Sequence, residues 1–577
     1  MNKFFKRLAT GVLSLVILVI VGVLIITLLV DPNRFKSEIE TTAKTAGVTL
    51  AIEGELAWQL VPLGLRVERV NFTLQDQSMA GNADQLSLGV NLSALFSLLS
   101  QSTNFPISSL SVNNGRILYA LPNSLPLQFS QIDLSIEELN ASGKKFPISL
   151  KLVAPNAIKV TLNADTGLSI NQQRIESFSI SDLDLKINNI EIDGYIEATD
   201  NLTKIQGQIN TTAFNLLKQF KLAKRFVPDL LVPQMTDPKA LTHISFDSYF
   251  DIKMGDVSSI QTQINLDGQP IEVDIELNQP KYSLSTLISG KKLNLTGYQT
   301  TTESSYNSSL LFAPLAIPMA IWHGQSQLEL NLATIVLGEY KLSNFYANLF
   351  GNQNIFKLTS LNGDIFDGHV HATATLNLQS EKPAFSVDSS VTNINLESVT
   401  QSLEDLKVDG RLNAQVSIQG SGNQKNSFIK SLKGNGRVNI MNPVYQGINL
   451  EQTFCNAAAL FSGKPPSQRT WAENTKLDDI TANMRFSGDR LLVSDYQTQL
   501  GNIAIYGNGN LNIKSNRYAL NTTALANKSR SSENGCTINQ FVVKRKIPFR
   551  CKGELGQKFD CKPDNNLIKS LLLSPKL

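Results

Sequence analysis

Apolar and polar positions alternate along most of this chain. Ile271, Val273, Ile275 and Leu277 fall on one side of an extended segment, and Glu272, Asp274 and Glu276 on the other. That is the period of two that a strand imposes on its side chains. Leu183, Leu185 and Ile187 alternate in the same way with Asp184 and Lys186. Leu376 with Leu378, Val416 with Ile418, Ile503 with Ile505, and Leu511 with Ile513 repeat the pattern. Turn formers lie between such segments: Asn113-Asn114-Gly115, Asp267-Gly268, Asn362-Gly363, Asp409-Gly410 and Gly507-Asn508-Gly509. Short strands recurring every roughly 10–15 residues predict a mainly β fold, a long antiparallel meander with one apolar and one polar face.

Few segments break this period. Asp31-Pro32 reads as an N-cap with proline at the first helical position, and Gly47 as the residue that closes the helix. Phe35, Ile39 and Ala43 then share one stripe of an amphipathic helix. Leu92–Leu99 and Phe214–Phe226 are further predicted helices. Three prolines in Pro228–Pro238 mark a linker, and the Gly, Ser, Asn and Gln cluster at Gln419–Lys425 marks a softer boundary. The resulting division is 1–30, 31–235, 236–425 and 426–577.

The first of these regions has a different period altogether. Lys3, Lys6 and Arg7 precede a stretch from Leu8 to Val30 without a charge, about 23 residues and roughly 34 Å as a helix, enough to cross a hydrocarbon core of about 30 Å. A cleaved signal peptide would carry an apolar run of only about 7–15 residues and a small-residue cleavage site. This run is longer and ends in Leu28-Leu29-Val30-Asp31-Pro32. It reads as one retained transmembrane helix. The basic cluster stays cytoplasmic, which places the remainder of the chain on the other side.

Composition narrows the function. With 52 Lys+Arg against 49 Asp+Glu, the net charge of the 577 residues is +3, which predicts no basic surface for nucleic acid. An apolar share of 42% with 18% charged excludes disorder for the bulk. Only four histidines are present. His369 and His371, with Asp367, would share one strand face and could ligate zinc or iron, but no ligand motif surrounds them. Two exposed histidines beside a hairpin at Asp367-Gly368 is the simpler reading. His243 and His323 are isolated. No string of the G-x-S-x-G, H-E-x-x-H, Walker A or G-x-G-x-x-G kind occurs. The sequence therefore predicts no enzyme, no cofactor and no metal. Several Asn-x-Ser/Thr sequons occur, as chance supplies in a chain so rich in these residues.

The four cysteines are Cys455, Cys536, Cys551 and Cys561. In an oxidising compartment they allow three pairings. Cys551 with Cys561 closes the shortest loop and leaves Cys455 with Cys536; the alternative pairs Cys536 with Cys551. A four-thiolate zinc site would lack any C-x-x-C pair.

The segment after the apolar run, Val30-Asp31-Pro32-Asn33-Arg34-Phe35-Lys36, resembles the opening of the AsmA family. The likeness continues through Ala46-Gly47-Val48-Thr49-Leu50, Gly54-Glu55-Leu56-Ala57-Trp58 and Pro62-Leu63-Gly64-Leu65 to Asn113-Asn114-Gly115-Arg116-Ile117. Leu432-Lys433-Gly434-Asn435-Gly436 and Tyr445-Gln446-Gly447-Ile448-Asn449-Leu450 also look like family elements. The family consists of inner-membrane-anchored bacterial proteins exposed to the periplasm, similar in architecture to bridge-like lipid carriers. The resemblance implies a role in outer-membrane homeostasis, with phospholipid and the inner membrane as partners and envelope assembly proteins beside them. It carries over no catalytic residue.

A diacyl lipid leaving a bilayer exposes roughly 30 methylenes at about 0.8 kcal/mol each, so on the order of 25 kcal/mol opposes escape. A sheet curved into an open apolar groove would keep those tails dry. Ile271, Val273, Ile275, Leu277, Leu183, Leu185, Ile187, Val416 and Ile418 are the groove candidates. Alternation alone fits a closed sandwich equally well, and a non-transporting β-sandwich scaffold for assembly factors is the competing class. The family likeness favours the groove. Roughly 30 strands at about 4.8 Å would extend on the order of 145 Å, too short to join both membranes unaided.

Overall fold

The computed structural model describes residues 31–564, except 46, 61–62, 91–106, 121–125, 141, 172–173, 225–229, 231, 300–324, 381, 402–406, 467, 556 and 558–559. The apolar run at 8–30 and the helix expected at Leu92–Leu99 lie outside the described residues. No helix among the described residues is long and apolar enough to cross a membrane.

The chain divides into two compact units. The first takes in the described residues up to Leu216 together with His243–Thr262; the second takes in Leu217–Thr242 and the described residues from Gln263 onward. Both are built almost wholly of strands, with a few short helices.

In the first unit, Asp31 caps the entry helix as expected, its side chain accepting from the Asn33 N–H at 2.9 Å. A 3-10 turn at Pro32–Phe35 leads into the α-helix Lys36–Thr45. Gly47, at φ 87, ends that segment, a left-handed conformation that costs glycine little. The Glu40 carboxylate accepts from the Ile52 N–H at 2.8 Å, and the Asn33 side chain accepts from the Leu56 N–H at 2.9 Å. These bonds fasten the helix to the first strands, and Ile39 packs on the small core of Ile52, Leu56, Leu65, Val67 and Val70. From there antiparallel strands follow one another. Register sets Val67, Leu86, Val112, Leu134, Leu150, Leu162, Leu185 and Ile192 in one row across them. Residues directly opposite on paired strands share a face, so the row is a continuous aliphatic stripe.

The second unit repeats the construction with one departure from the expected meander. Ser283–Gly290 and Leu293–Asn294 pair in parallel with Gln325–Leu337. A parallel neighbour needs a crossover of a dozen or more residues, and the chain between Asn294 and Gln325 supplies that length. The expected helix at Phe214–Phe226 is present as Leu216–Ala223. The described part of the proline-rich linker is fastened: the N–H groups of Thr236 and Asp237 donate to Gln299 and Gly297 carbonyls at 2.8 and 3.1 Å. The Gln419–Lys425 segment spans the end of the strand Val408–Ser421 and the start of the helix Lys425–Ser431.

Most of the expected turns lie inside continuing strands instead, some of them at bulges. Asp267-Gly268 is a true hairpin turn, both residues at positive φ (51 and 86). Asn113-Asn114-Gly115 lies inside the strand Ile107–Tyr119, where Asn114 (φ 48) interrupts the ladder. Asn362-Gly363 lies inside Ile355–Ile365, and Gly507-Asn508-Gly509 inside Ile503–Asn512. Asp409-Gly410 lies inside Val408–Ser421, with a register shift at that point. Further interruptions fall at Asn344, Asn393 and Asp495, all at positive φ. Each extra residue bends its strand and increases the local twist; repeated from strand to strand, such bulges curve a sheet.

Candidate apolar row and cavity

The curved sheet of the second unit carries one row of particular length. Starting at Val273, register places Ile288, Leu330, Ala347, Leu361, Ala372, Ser389, Val416 and Gly436 in succession. The row then continues through Met484, Val493, Gly509 and Leu520 to Cys551 and Cys561. It contains no charged residue, and Ser389 is its one hydroxyl. A neighbouring row runs from Ile275 through Thr286, Leu328, Leu349, Leu358, Ala374 and Val387 to Ile418.

Burial differs along these rows. Ile271, Val273, Ile275 and Leu277 are all half-buried, while Glu272 and Glu276 on the opposite side are exposed. Val416 and Ile418 are half-buried between exposed Gln415, Ser417 and Gln419. In the first unit Leu185 and Ile187 are half-buried and Leu183 is buried. The middle strands contribute only scattered buried residues such as Leu332, Ala347 and Phe356. At the carboxyl end the same face passes into a true core, where Ile503, Val542 and Ile547 are 0% exposed and Phe454 is 3% exposed.

Over that core lies a helix that the strand period did not reveal, Leu450–Phe461. Its signals are present in the sequence: Asn449 caps it, accepting from the Gln452 N–H at 2.7 Å, and Leu450, Phe454 and Ala458 follow at helical spacing. The Leu450 N–H donates to Thr475 Oγ1 at 2.9 Å. Glu451 accepts from Ser531 Oγ at 2.6 Å, and Ser531 accepts from the Cys536 N–H at 2.7 Å. The disulfide Cys455–Cys536 joins helix and loop, and Cys551–Cys561 joins the last two strands. The pairing that closes the shortest loop is therefore the one adopted.

Between helix and sheet is a cavity of about 250 Å³. Leu450, Thr453 and Phe454 line it from the helix, Ile480, Ala482, Val493, Tyr496, Ile505 and Leu520 from the strands, and Cys551 and Cys561 from the terminal pair. No charged side chain lines it. Its hydroxyls are engaged: Tyr496 bonds Thr522, and Thr498 Oγ1 donates to the Asp478 carbonyl at 2.8 Å. Burial pushes the phenol pKa of Tyr445 and of Tyr496 up, so both stay neutral. Gly507 provides the space beside Tyr496, since a Cβ there would stand 2.8 Å from the phenol oxygen. An apolar cavity of about 150 Å³ already stays dry and admits benzene; this one suits hydrocarbon better than water.

The polar face holds the histidines. His369 Nδ1 lies 2.9 Å from Asp364 Oδ1, and His371 Nδ1 lies 2.8 Å from Asn362 Oδ1. The His369 bond, followed by that from Asn344, holds the Asp364 carboxyl below its ordinary pKa. Asp367, expected beside the two rings, sits in the preceding turn at φ 56 and accepts from Asn395. Among the described residues no group of three or more His, Cys, Asp or Glu could hold a metal ion.

The family model described as the AsmA family matches residues 1–101 and 128–491. Protein AsmA of Escherichia coli (strain K12) is 22% identical over 542 residues, which cover 88% of this chain and 86% of that protein.

Proposed function

The chain belongs to the AsmA family, and on that premise we propose that it is an inner-membrane-anchored periplasmic protein that supports outer-membrane biogenesis by holding or moving phospholipid along its apolar sheet face. The Leu8–Val30 run is the anchor, and the sheets stand on the periplasmic side. The observation that carries the reading is the uncharged row from Val273 to Cys561, half-buried over its middle strands rather than packed out. Apolar side chains left partly exposed over many strands are costly in water and stable once an acyl chain covers them. The polar face carries acidic and amide side chains, among them exposed Glu272 and Glu276 and half-buried Asp274. A headgroup stays at the open side of the groove while the tails lie on the row. The role is that of a local acceptor or partial conduit at the inner membrane, with envelope assembly proteins as further partners. No residue is assigned to catalysis.

Photoreactive residues placed singly at Ile271 and Val273 in the full chain, in cells, test this. Phospholipid adducts at these two positions, and few at Glu272 and Asp274, are the expected result. Equal labelling on both faces refutes a lined groove and favours the scaffold reading.

A further inference from the structure

Resting on the lipid-holding reading, we infer that the carboxyl-terminal cavity is a binding site for the terminal part of a single acyl chain. Three features point to that occupant. The cavity joins the groove row: Val493, Leu520, Cys551 and Cys561 line it and also belong to the row that starts at Val273. Its size is that of one chain segment. If about 150 Å³ admits a six-carbon ring, then 250 Å³ takes roughly ten carbons in proportion, which excludes a diacyl glycerol moiety. Its chemistry admits no headgroup, because no charged side chain lines it and the hydroxyls of Tyr496 and Thr498 already have partners. The methyl end of the tail therefore enters, and the carboxyl or ester end remains on the row.

The site is also held in shape. Cys455–Cys536 fixes the helix that covers it, and Cys551–Cys561 fixes the last strand pair on its wall. The cavity thus persists when the tail leaves, whereas a gap made only of mobile side chains would close.

The test uses the full chain in lipid nanodiscs and two photoreactive fatty acids, one with its diazirine near the methyl end and one with it near the carboxylate. Peptide mapping should place the methyl-end label on Phe454, Val493 or Ile505, and the carboxylate-end label outside the cavity. Val493→Trp, which fills the space opposite Gly509, should reduce methyl-end labelling at least tenfold; Val493→Ala, a milder change, should retain it. Equal mapping of both isomers to the cavity, or no cavity labelling by the methyl-end isomer of the unaltered protein, overturns the inference. The two readings fail separately. Adducts at Ile271 and Val273 without cavity labelling leave the groove and remove the tail site, while cavity labelling without those adducts removes the groove.

Discussion

Ile275→Ala and Ile547→Ala, made separately, take the same three carbons from two places in one unit. At about 0.8 kcal/mol per methylene-sized group, full burial of those carbons is worth roughly 2.4 kcal/mol. Ile547 is 0% exposed in the terminal core, so its loss also leaves a cavity, and the total comes to about 3–4 kcal/mol. Ile275 is partly exposed on the row beside the one that starts at Val273. Well over half of the transfer energy is lost there, but no closed void forms, which gives roughly 1.5–2 kcal/mol. Hydrogen exchange on the full chain resolves the two, because it reports local opening of the strands. With about 1.4 kcal/mol per factor of ten, protection around Ile547 should fall a few hundredfold and that around Ile275 roughly ten- to thirtyfold. Equal losses at the two sites would refute the reasoning, for they would mean that the middle strands enclose a packed interior.

Two further outcomes follow from bonds outside the groove. The chain-entropy estimate assigns about 4.5 kcal/mol to a disulfide closing the 81-residue separation of Cys455 and Cys536 and about 2.7 kcal/mol to one closing the 10 residues between Cys551 and Cys561; thermal unfolding of the two paired Cys→Ala variants should show the former to be the more damaging. Tyr298 donates to Asp267 at 2.6 Å, and burial, with that bond second, pushes its pKa up to about 12. A folded pKa above the ordinary 10 favours the neutral phenol in the native state, so its stabilisation is complete below pH about 10 and fades as pH rises towards 12. The stability advantage over Tyr298→Phe, followed by urea unfolding, should shrink over that window; a constant advantage contradicts the assignment.

Strand content was legible because period-two alternation is set by one buried face, as at Ile271–Leu277 and Val416–Ile418. The turns were less so. Asn and Gly at positive φ serve a hairpin turn and a bulge equally, so Asp267-Gly268 and Asn113-Asn114-Gly115 look alike in sequence although one reverses the chain and the other bends a continuing strand. The parallel pairing of Ser283–Gly290 with Gln325–Leu337 left no local signature, since it depends on where the crossover returns. The disulfide partners were narrowed by loop length but fixed only by the fold. The cavity was the largest omission. Ile503, Ile505, Cys551 and Cys561 were visible, whereas Tyr445, Tyr496 and Phe454 acquire meaning only when Leu450–Phe461 is seen to lie over the sheet.

A sheet face that shelters lipid tails leaves the membrane with lipid still bound. Native mass spectrometry of the full chain released from nanodiscs tests this most directly. The protein mass should be accompanied by bound phospholipid, and that lipid should be lost when Val273→Asp and Ile418→Asp are combined. A bare protein mass, or lipid retained unchanged by the two aspartates, would contradict a sheltering face.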